Sequence, residues 1–127
     1  MRMQLVSWPW QFEVLVCGNL YGDIISDLGA GLVGGISAAW GVDQGDDIMV
    51  FEAIHGRAPG LASKDLANPL PMLRPAIALL RQVGQHAIAA NLDAAIEAVL
   101  LEGKHLTRDL GGRSRTTTMI KAIRDAL

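Results

Sequence analysis

Asn19-Leu20-Tyr21-Gly22-Asp23-Ile24-Ile25-Ser26-Asp27 is the stretch on which the reading of this chain turns. Asn19 suits a helix N-cap, and a first turn beginning near Leu20 would bring Asp23 close to the exposed N–H groups that favour negative charge. Asp27 follows one helical turn later. That spacing sets both carboxylates on one face with Cβ atoms about 5–6 Å apart, where like charges repel by roughly 0.2–0.5 kcal/mol. A bound cation reverses the sign, because hard divalent ions such as Mg²⁺ and Mn²⁺ take one or two carboxylates together with oxygens of a substrate. By spacing alone two readings stand: a solvated acidic face, and half of a divalent metal site.

Upstream of this stretch, the apolar run Phe12 to Cys17, bounded by Gly18, reads as a buried strand that delivers the chain to the helix. Met1 to Val6 is short and mixed, and Pro9 disfavours helical geometry at Trp8. Trp8 and Trp10 flank that break, open either to burial against neighbouring loops or to a partner surface. The helix itself is expected from Leu20 to about Val33 and is rich in small residues, Gly29, Ala30 and Gly31 among them. An interior Gly costs about 1 kcal/mol relative to Ala, so several together predict a neighbour packed too closely for a Cβ, within the chain or across an interface.

Downstream, Ile36 to Asp47 has turn composition and reads as a loop. Its acids Asp43, Asp46 and Asp47 lack the alternating oxygen ligands and terminal Glu of a calcium loop and are expected in solvent. Ile48 to Ile54 reads as a central strand ending at His55-Gly56. In the loop His55 to Asn68, Gly56, Pro59 and Gly60 fix an irregular backbone at a strand end, where open α/β sheets place ligands. His55 alone reads either as a hydrogen-bonded loop histidine or as a ligand contact. A helix is expected from Pro69, with Ala76, Ile77, Leu79, Leu80 and Val83 on its apolar face, and with Pro71 and Pro75 in the first turns or at a kink. A second should run from His86 to Glu102 on Ile88, Leu92, Ala95, Ile96 and Val99, with Gly103 as its C-cap. Thr107 to Gly112 reads as a short strand and turn, after which Ser114 or Thr116 caps a last helix holding Met119, Ile120, Ile123 and Leu127 inside.

The 127 residues, 50% hydrophobic and 19% charged, suffice for one domain with a core. A formal net charge of −2 offers no field for nucleic acid or an anionic membrane. The single cysteine, Cys17, rules out an internal disulfide framework and is expected to be inert core. Neither a bilayer-spanning run of about 20 apolar residues nor a signal-peptide pattern is present, so a soluble cytoplasmic protein is expected.

Further motifs follow the acidic pair in a fixed order: Gly31-Leu32-Val33-Gly34-Gly35, Gly45-Asp46-Asp47, Phe51-Glu52-Ala53-Ile54-His55-Gly56, Ala58-Pro59, Ala67-Asn68-Pro69 and Thr107-Arg108-Asp109-Leu110-Gly111-Gly112. Together they resemble the C-terminal part of the isocitrate/isopropylmalate dehydrogenase family, over nearly the whole chain. Gly-Leu-Val-Gly-Gly and Phe-Glu-Ala-Ile-His-Gly look more like the isocitrate branch than the isopropylmalate branch, and within it the chain is most similar to the NAD-type enzyme because Gly60 brings no cation. The resemblance implies an α/β chain: the C-terminal part of the isopropylmalate dehydrogenase-like fold, as strand, Gly-rich helix, strand, then helices, and incomplete by itself. Residues 1–35 or so would come from the metal-binding and dimer lobe, and about 48–127 from the cofactor lobe.

It further implies Asp23 and Asp27 as ligands of Mg²⁺ or Mn²⁺, and places His55, Gly56, Ala58 and Asn68 around the adenosine half of NAD, with Asp109 nearby. Gly60 stands where NAD-using members usually carry Asp and many NADP-using members Lys. It offers neither group, so NAD is favoured for want of a cation, while Arg57 and Lys64 keep NADP open. The implied reaction is oxidation of a 2-hydroxy acid, isocitrate, followed by decarboxylation. The substrate arginines, catalytic Tyr and Lys, and a further metal Asp of such enzymes belong upstream, so this portion alone is expected to be inactive and to pair as a homodimer or with the missing N-terminal part. Two alternatives stand beside this: a non-catalytic subunit acting by association, and the same chemistry on isopropylmalate, homoisocitrate or tartrate.

Overall fold

The computed structural model describes residues 2–127. Its core is a three-helix unit near the C-terminus, formed by α3 (Leu70–Gln82), α4 (His86–Glu102) and α5 (Thr116–Asp125). Leu70 and Ile77 of α3, Ala95, Ile96 and Val99 of α4, and Met119 and Ile123 of α5 meet in one cluster, with Leu73, Leu80 and Leu92 packed at its margin. The stripes recur every three or four residues, so each helix turns one face inward.

Local signals set the helix ends. After α3 the left-handed Gly84 (φ 81°) lets the Gln85 N–H reach the Leu80 carbonyl at 2.8 Å, and after α4 Gly103 (φ 73°) closes the last turn on Val99. Pro71 lies in the first turn of α3, and Pro75 is accommodated inside a helix that runs on past it. Arg74 and Arg81 of α3 both reach Asp93 of α4, each at 2.5 Å, and tie the two helices along their solvent side. Such half-exposed pairs contribute about 0–1 kcal/mol each, so the apolar cluster dominates.

The N-terminal half is built differently. It comprises α1 (Arg2–Ser7), a 3-10 turn at Pro9–Gln11, α2 (Asn19–Leu32), a second 3-10 turn at Ile36–Ala38, and the strands β1 (Gly41–Gln44) and β2 (Met49–Glu52). The strands pair antiparallel, Gly41 opposite Glu52 and Gln44 opposite Met49, around a turn in which the Gly45 N–H donates to the Ile48 carbonyl at 2.9 Å. β2 and the Ile36–Ala38 turn pack on α3, α2 packs on that turn, and α1 on the Pro9–Gln11 turn. Ala30 is the one hydrophobic residue of this half that is fully buried among the described residues. No helix in the described residues is long and apolar enough to cross a membrane.

Several expectations change here. Phe12 to Cys17 is not a buried strand: it is unpaired backbone, with Val14 80% and Val16 95% exposed and Cys17 half-buried rather than core. A strand needs a neighbour to bond, and the described residues supply none there. Instead of a mixed segment, Arg2 to Ser7 is helical; Met1 lies outside the described residues. Residues 41–44, read as loop, form β1, and β2 is half of a two-stranded ribbon rather than a central strand. Thr107 to Gly112 contains a 3-10 turn at Arg108–Leu110 in place of a strand. Leu79, Val83, Ile88, Ile120 and Leu127, assigned to inward faces, are exposed, because a three-helix cluster buries a narrower stripe than the apolar pattern offers. Trp8 and Trp10 are exposed as well. Beyond their own helix backbone, Gly29 and Gly31 have no atom of the described residues within 4 Å of where a Cβ would stand, so the close packing their spacing suggests does not occur among those residues.

Candidate functional site

α2 begins one residue earlier than expected, with Gly18 rather than Asn19 as its N-cap, and the Gly22 N–H bonds to the Gly18 carbonyl at 2.9 Å. Asp23 therefore lies beyond the first turn, and the orphan N–H groups do not reach it. Asp23 and Asp27 stand one turn apart, both exposed, and neither takes part in an ion pair among the described residues. Between them Ser26 turns its hydroxyl back onto the helix, donating to the carbonyls of Gly22 and Asp23 at 3.0 Å each. The two carboxylates are thus free to bind, but no group of three or more His, Cys, Asp or Glu among the described residues could enclose a metal. They fit half of a divalent site and no more.

A second site is more fully formed. A cleft of about 510 Å³ opens where the loop after β2 meets the starts of α3 and α5 and the Ile36–Ala38 turn, within the usual range for small-molecule sites. His55, Gly56, Ala58, Asn68 and Asp109 all line it; Gly60, the sixth expected contact, does not. Ile36, Leu61, Leu66 and Pro71 supply apolar wall, and Arg57 and Arg108 add positive charge. Among the described residues the exposed His55 bonds through Nδ1 only to the neighbouring Gly56 carbonyl, at 3.0 Å.

Asn68 and Asp109 are brought together from distant parts of the chain. The Asn68 Nδ2 donates to Asp109 Oδ2 at 2.8 Å, while its Oδ1 accepts the Leu70 N–H at 2.9 Å and helps to start α3. These two bonds fix which way the amide faces. Partial burial pushes the Asp109 carboxyl up, but donors at Thr107, Asn68 and Ser37 outweigh it and hold the group below its ordinary value. Among them Asn68 makes the full hydrogen bond. Thr107 Oγ1, on a wholly buried residue, has no partner of ordinary geometry among the described residues.

Sequence reading missed Asp65, Ser37 and Thr116, all in the cleft wall. Asp65 accepts from the Thr117 N–H at 2.9 Å and from the Thr117 hydroxyl at 2.7 Å, bonds that hold its carboxyl below the ordinary value. It therefore caps α5 in place of Ser114 or Thr116, from more than fifty residues away in the chain. The one local signal that could have marked it is its type, since Asp tolerates the left-handed backbone found at Asp65 (φ 57°) and shared in this loop by Ala58 (φ 41°) and Ser63 (φ 60°). Three such residues, each costing about 1 kcal/mol, cluster where the loop bounds the cleft.

The model of the isocitrate/isopropylmalate dehydrogenase family matches residues 1–123. The chain belongs to that family. It is 44% identical over 122 residues to isocitrate dehydrogenase [NAD] subunit alpha, mitochondrial, of Rattus norvegicus, covering 95% of this chain and 33% of that one. To isocitrate dehydrogenase [NAD] catalytic subunit 5, mitochondrial, of Arabidopsis thaliana it is 48% identical over 126 residues, 98% of this chain and 34% of the relative. The chain thus spans about a third of the length of these curated relatives.

Among solved structures, the TT0538 protein of Thermus thermophilus superposes with a TM-score of 0.93 at 41% identity, covering 99% of this chain and 26% of that one. A beta-decarboxylating dehydrogenase of Thermococcus kodakarensis in its apo form gives 0.81 at 35% identity, with 98% and 37% covered. This family member therefore carries a mixed α/β portion of the larger fold, which accounts for a core confined to one end of it.

Proposed function

We propose that this chain is the C-terminal portion of an NAD-dependent isocitrate dehydrogenase, supplying the adenosine cleft and two carboxylates of a divalent metal site to the oxidative decarboxylation of isocitrate to 2-oxoglutarate. The observation that carries the reading is the convergence of His55, Gly56, Ala58, Asn68 and Asp109 on one cleft. Its apolar wall excludes water from the face of a flat base, and the fixed Asn68–Asp109 pair presents polar atoms at the edge. Arg57 and Arg108 offer charge to phosphate oxygens, and because no cation follows Ala58-Pro59 directly, NAD is preferred over NADP.

Mg²⁺ or Mn²⁺ would supply a Lewis acid for the substrate hydroxyl and carbonyl, and NAD would supply the hydride acceptor. Asp23 and Asp27 would hold that ion from one face of α2, about residues 1–35 belonging with the metal-binding lobe and 48–127 with the cofactor lobe. Alone, the chain does not turn over. A second reading, a subunit that acts by association, is favoured by the exposed Leu20, Tyr21, Leu32 and Val33 on and beside α2, which suit either a homodimer or the N-terminal part of a longer relative.

Isothermal titration tests both half-sites. The chain should bind NAD and, more weakly, Mn²⁺; Asn68→Leu should weaken NAD alone, and Asp23→Asn or Asp27→Asn should weaken Mn²⁺ alone. A folded chain that binds neither ligand overturns the catalytic reading in favour of association.

A further inference from the structure

The loop that bounds the cleft is held very unequally along its length. From His55 to Lys64 every residue is exposed. Backbone bonds there stay inside the loop, Leu61 and Ala62 donating to the Ala58 carbonyl and Lys64 to that of Leu61. From Asp65 to Asn68 the loop is instead bonded to other segments. The left-handed backbone at Asp65 turns both its carbonyl and its carboxylate toward the first turn of α5. Its carbonyl accepts the Thr116 N–H at 3.1 Å, its carboxylate takes the N–H and hydroxyl of Thr117, and the Thr116 hydroxyl donates to the Ala67 carbonyl at 2.5 Å. Asn68 completes the set through Asp109.

We propose that Asp65 is a positioning residue of the cleft: its clasp on Thr116 and Thr117 holds the loop against the start of α5, so that affinity in the cleft depends on Thr117, which does not line it. This rests on the reading of the cleft as the adenosine site. The physical basis is the unequal anchoring. A strained loop that, among the described residues, has no hydrogen bonds of its own to the body of the molecule before residue 65 keeps its shape only as well as the anchor that follows it, and a helix N-terminus offers a carboxylate an anchor that is both charge-assisted and directional. Asp is suited to the position on both counts, since it accepts a left-handed backbone and carries two oxygens for two donors.

The test titrates NAD into the full chain and into Thr117→Val, Thr117→Ser and Asp65→Gly, well below each melting temperature, and follows amide exchange at Leu61, Ala62 and Lys64 in the same proteins without ligand. Asp65→Gly keeps the left-handed backbone free of strain but removes a side chain of the cleft wall along with the clasp, so Thr117→Val, outside the wall, is the variant that isolates the clasp. Thr117→Val and Asp65→Gly should each weaken NAD about tenfold and speed exchange in the loop, while Thr117→Ser restores both to near the parent values. The double variant Asp65→Gly/Thr117→Val should be no worse than Asp65→Gly alone, because losing the Asp65 carboxylate already removes the partner of the Thr117 hydroxyl. Unchanged NAD affinity in Thr117→Val overturns the proposal, and a lowered melting temperature without a change in affinity would make the clasp purely structural and overturn it equally. A parent chain that fails to bind NAD, with exchange still faster in Asp65→Gly, overturns the adenosine reading and leaves the clasp as a property of the loop.

Discussion

Helices α2 and α4 are similar in length and both carry enough apolar residues to form a buried face, yet α4 buries Ala89, Ala95, Ile96 and Val99 while α2 buries Ala30 alone. The difference lies in their neighbours. α4 is flanked by α3 and α5 from the same chain, whereas the main packing partner of α2 among the described residues is one 3-10 turn. Secondary structure can be specified locally in both, but burial, and with it most of the stability, requires a second surface. The N-terminal half is therefore only as stable as whatever covers it.

The sharpest way to break this contrast is native-state amide exchange. Amides around Ala95 and Ile96 should exchange only through near-global opening and those of α2 through local opening, a gap of roughly a thousandfold or more. Equal rates in the two helices would remove the distinction. Next in size, Ile96→Ala should cost about 2–5 kcal/mol in chemical denaturation, since Ile96 is 0% exposed, whereas Val16→Ala should change stability by less than about 0.5 kcal/mol.

A single substitution type with opposite signs in the two halves gives a finer test. At Gly112 a Cβ would collide with the Leu106 carbonyl, so Gly112→Ala should destabilise by about 1–3 kcal/mol. At Gly29 the space is open, and Gly29→Ala should instead stabilise α2 by up to about 1 kcal/mol, both changes read by chemical denaturation. The smallest effect is electrostatic. With its folded-state carboxyl held below the ordinary value, ionised Asp109 contributes stability that is complete above the carboxylate range and lost as pH falls through the lowered value. Urea midpoints should therefore drop below about pH 4, less steeply in Asp109→Asn.

What could be read in the sequence follows the same division. The bounds of the His86–Glu102 helix and its Gly103 cap agree with expectation, because periodicity and a left-handed C-cap are local properties, whereas Ile88 of its expected stripe lies exposed. The hydrophobic run at Phe12–Cys17 carries the composition of a strand, but pairing is a property of two segments and the second is not in the described chain. β1 was hidden by the turn-forming residues Gly41, Asp43 and Gly45, which serve here to start and close a hairpin. In the site, the ordered motifs brought together His55, Gly56, Ala58, Asn68 and Asp109, while the Asp65 clasp on α5 joins segments with no shared pattern.

The hairpin itself has a consequence for handling the protein. β1 and β2 pair only with each other among the described residues, which leaves a free edge on either side of the ribbon. Residues 41–52 contain Asp43, Asp46, Asp47 and Glu52 and neither Lys nor Arg. Two ribbons approaching edge to edge would bring like charges together, one of the means by which natural edge strands resist lateral growth. Salt shortens the reach of that repulsion to about 10 Å at 0.1 M and about 3 Å at 1 M. The chain is accordingly best kept in dilute buffer, and strong salt is the condition under which ribbon-to-ribbon precipitation should first be seen.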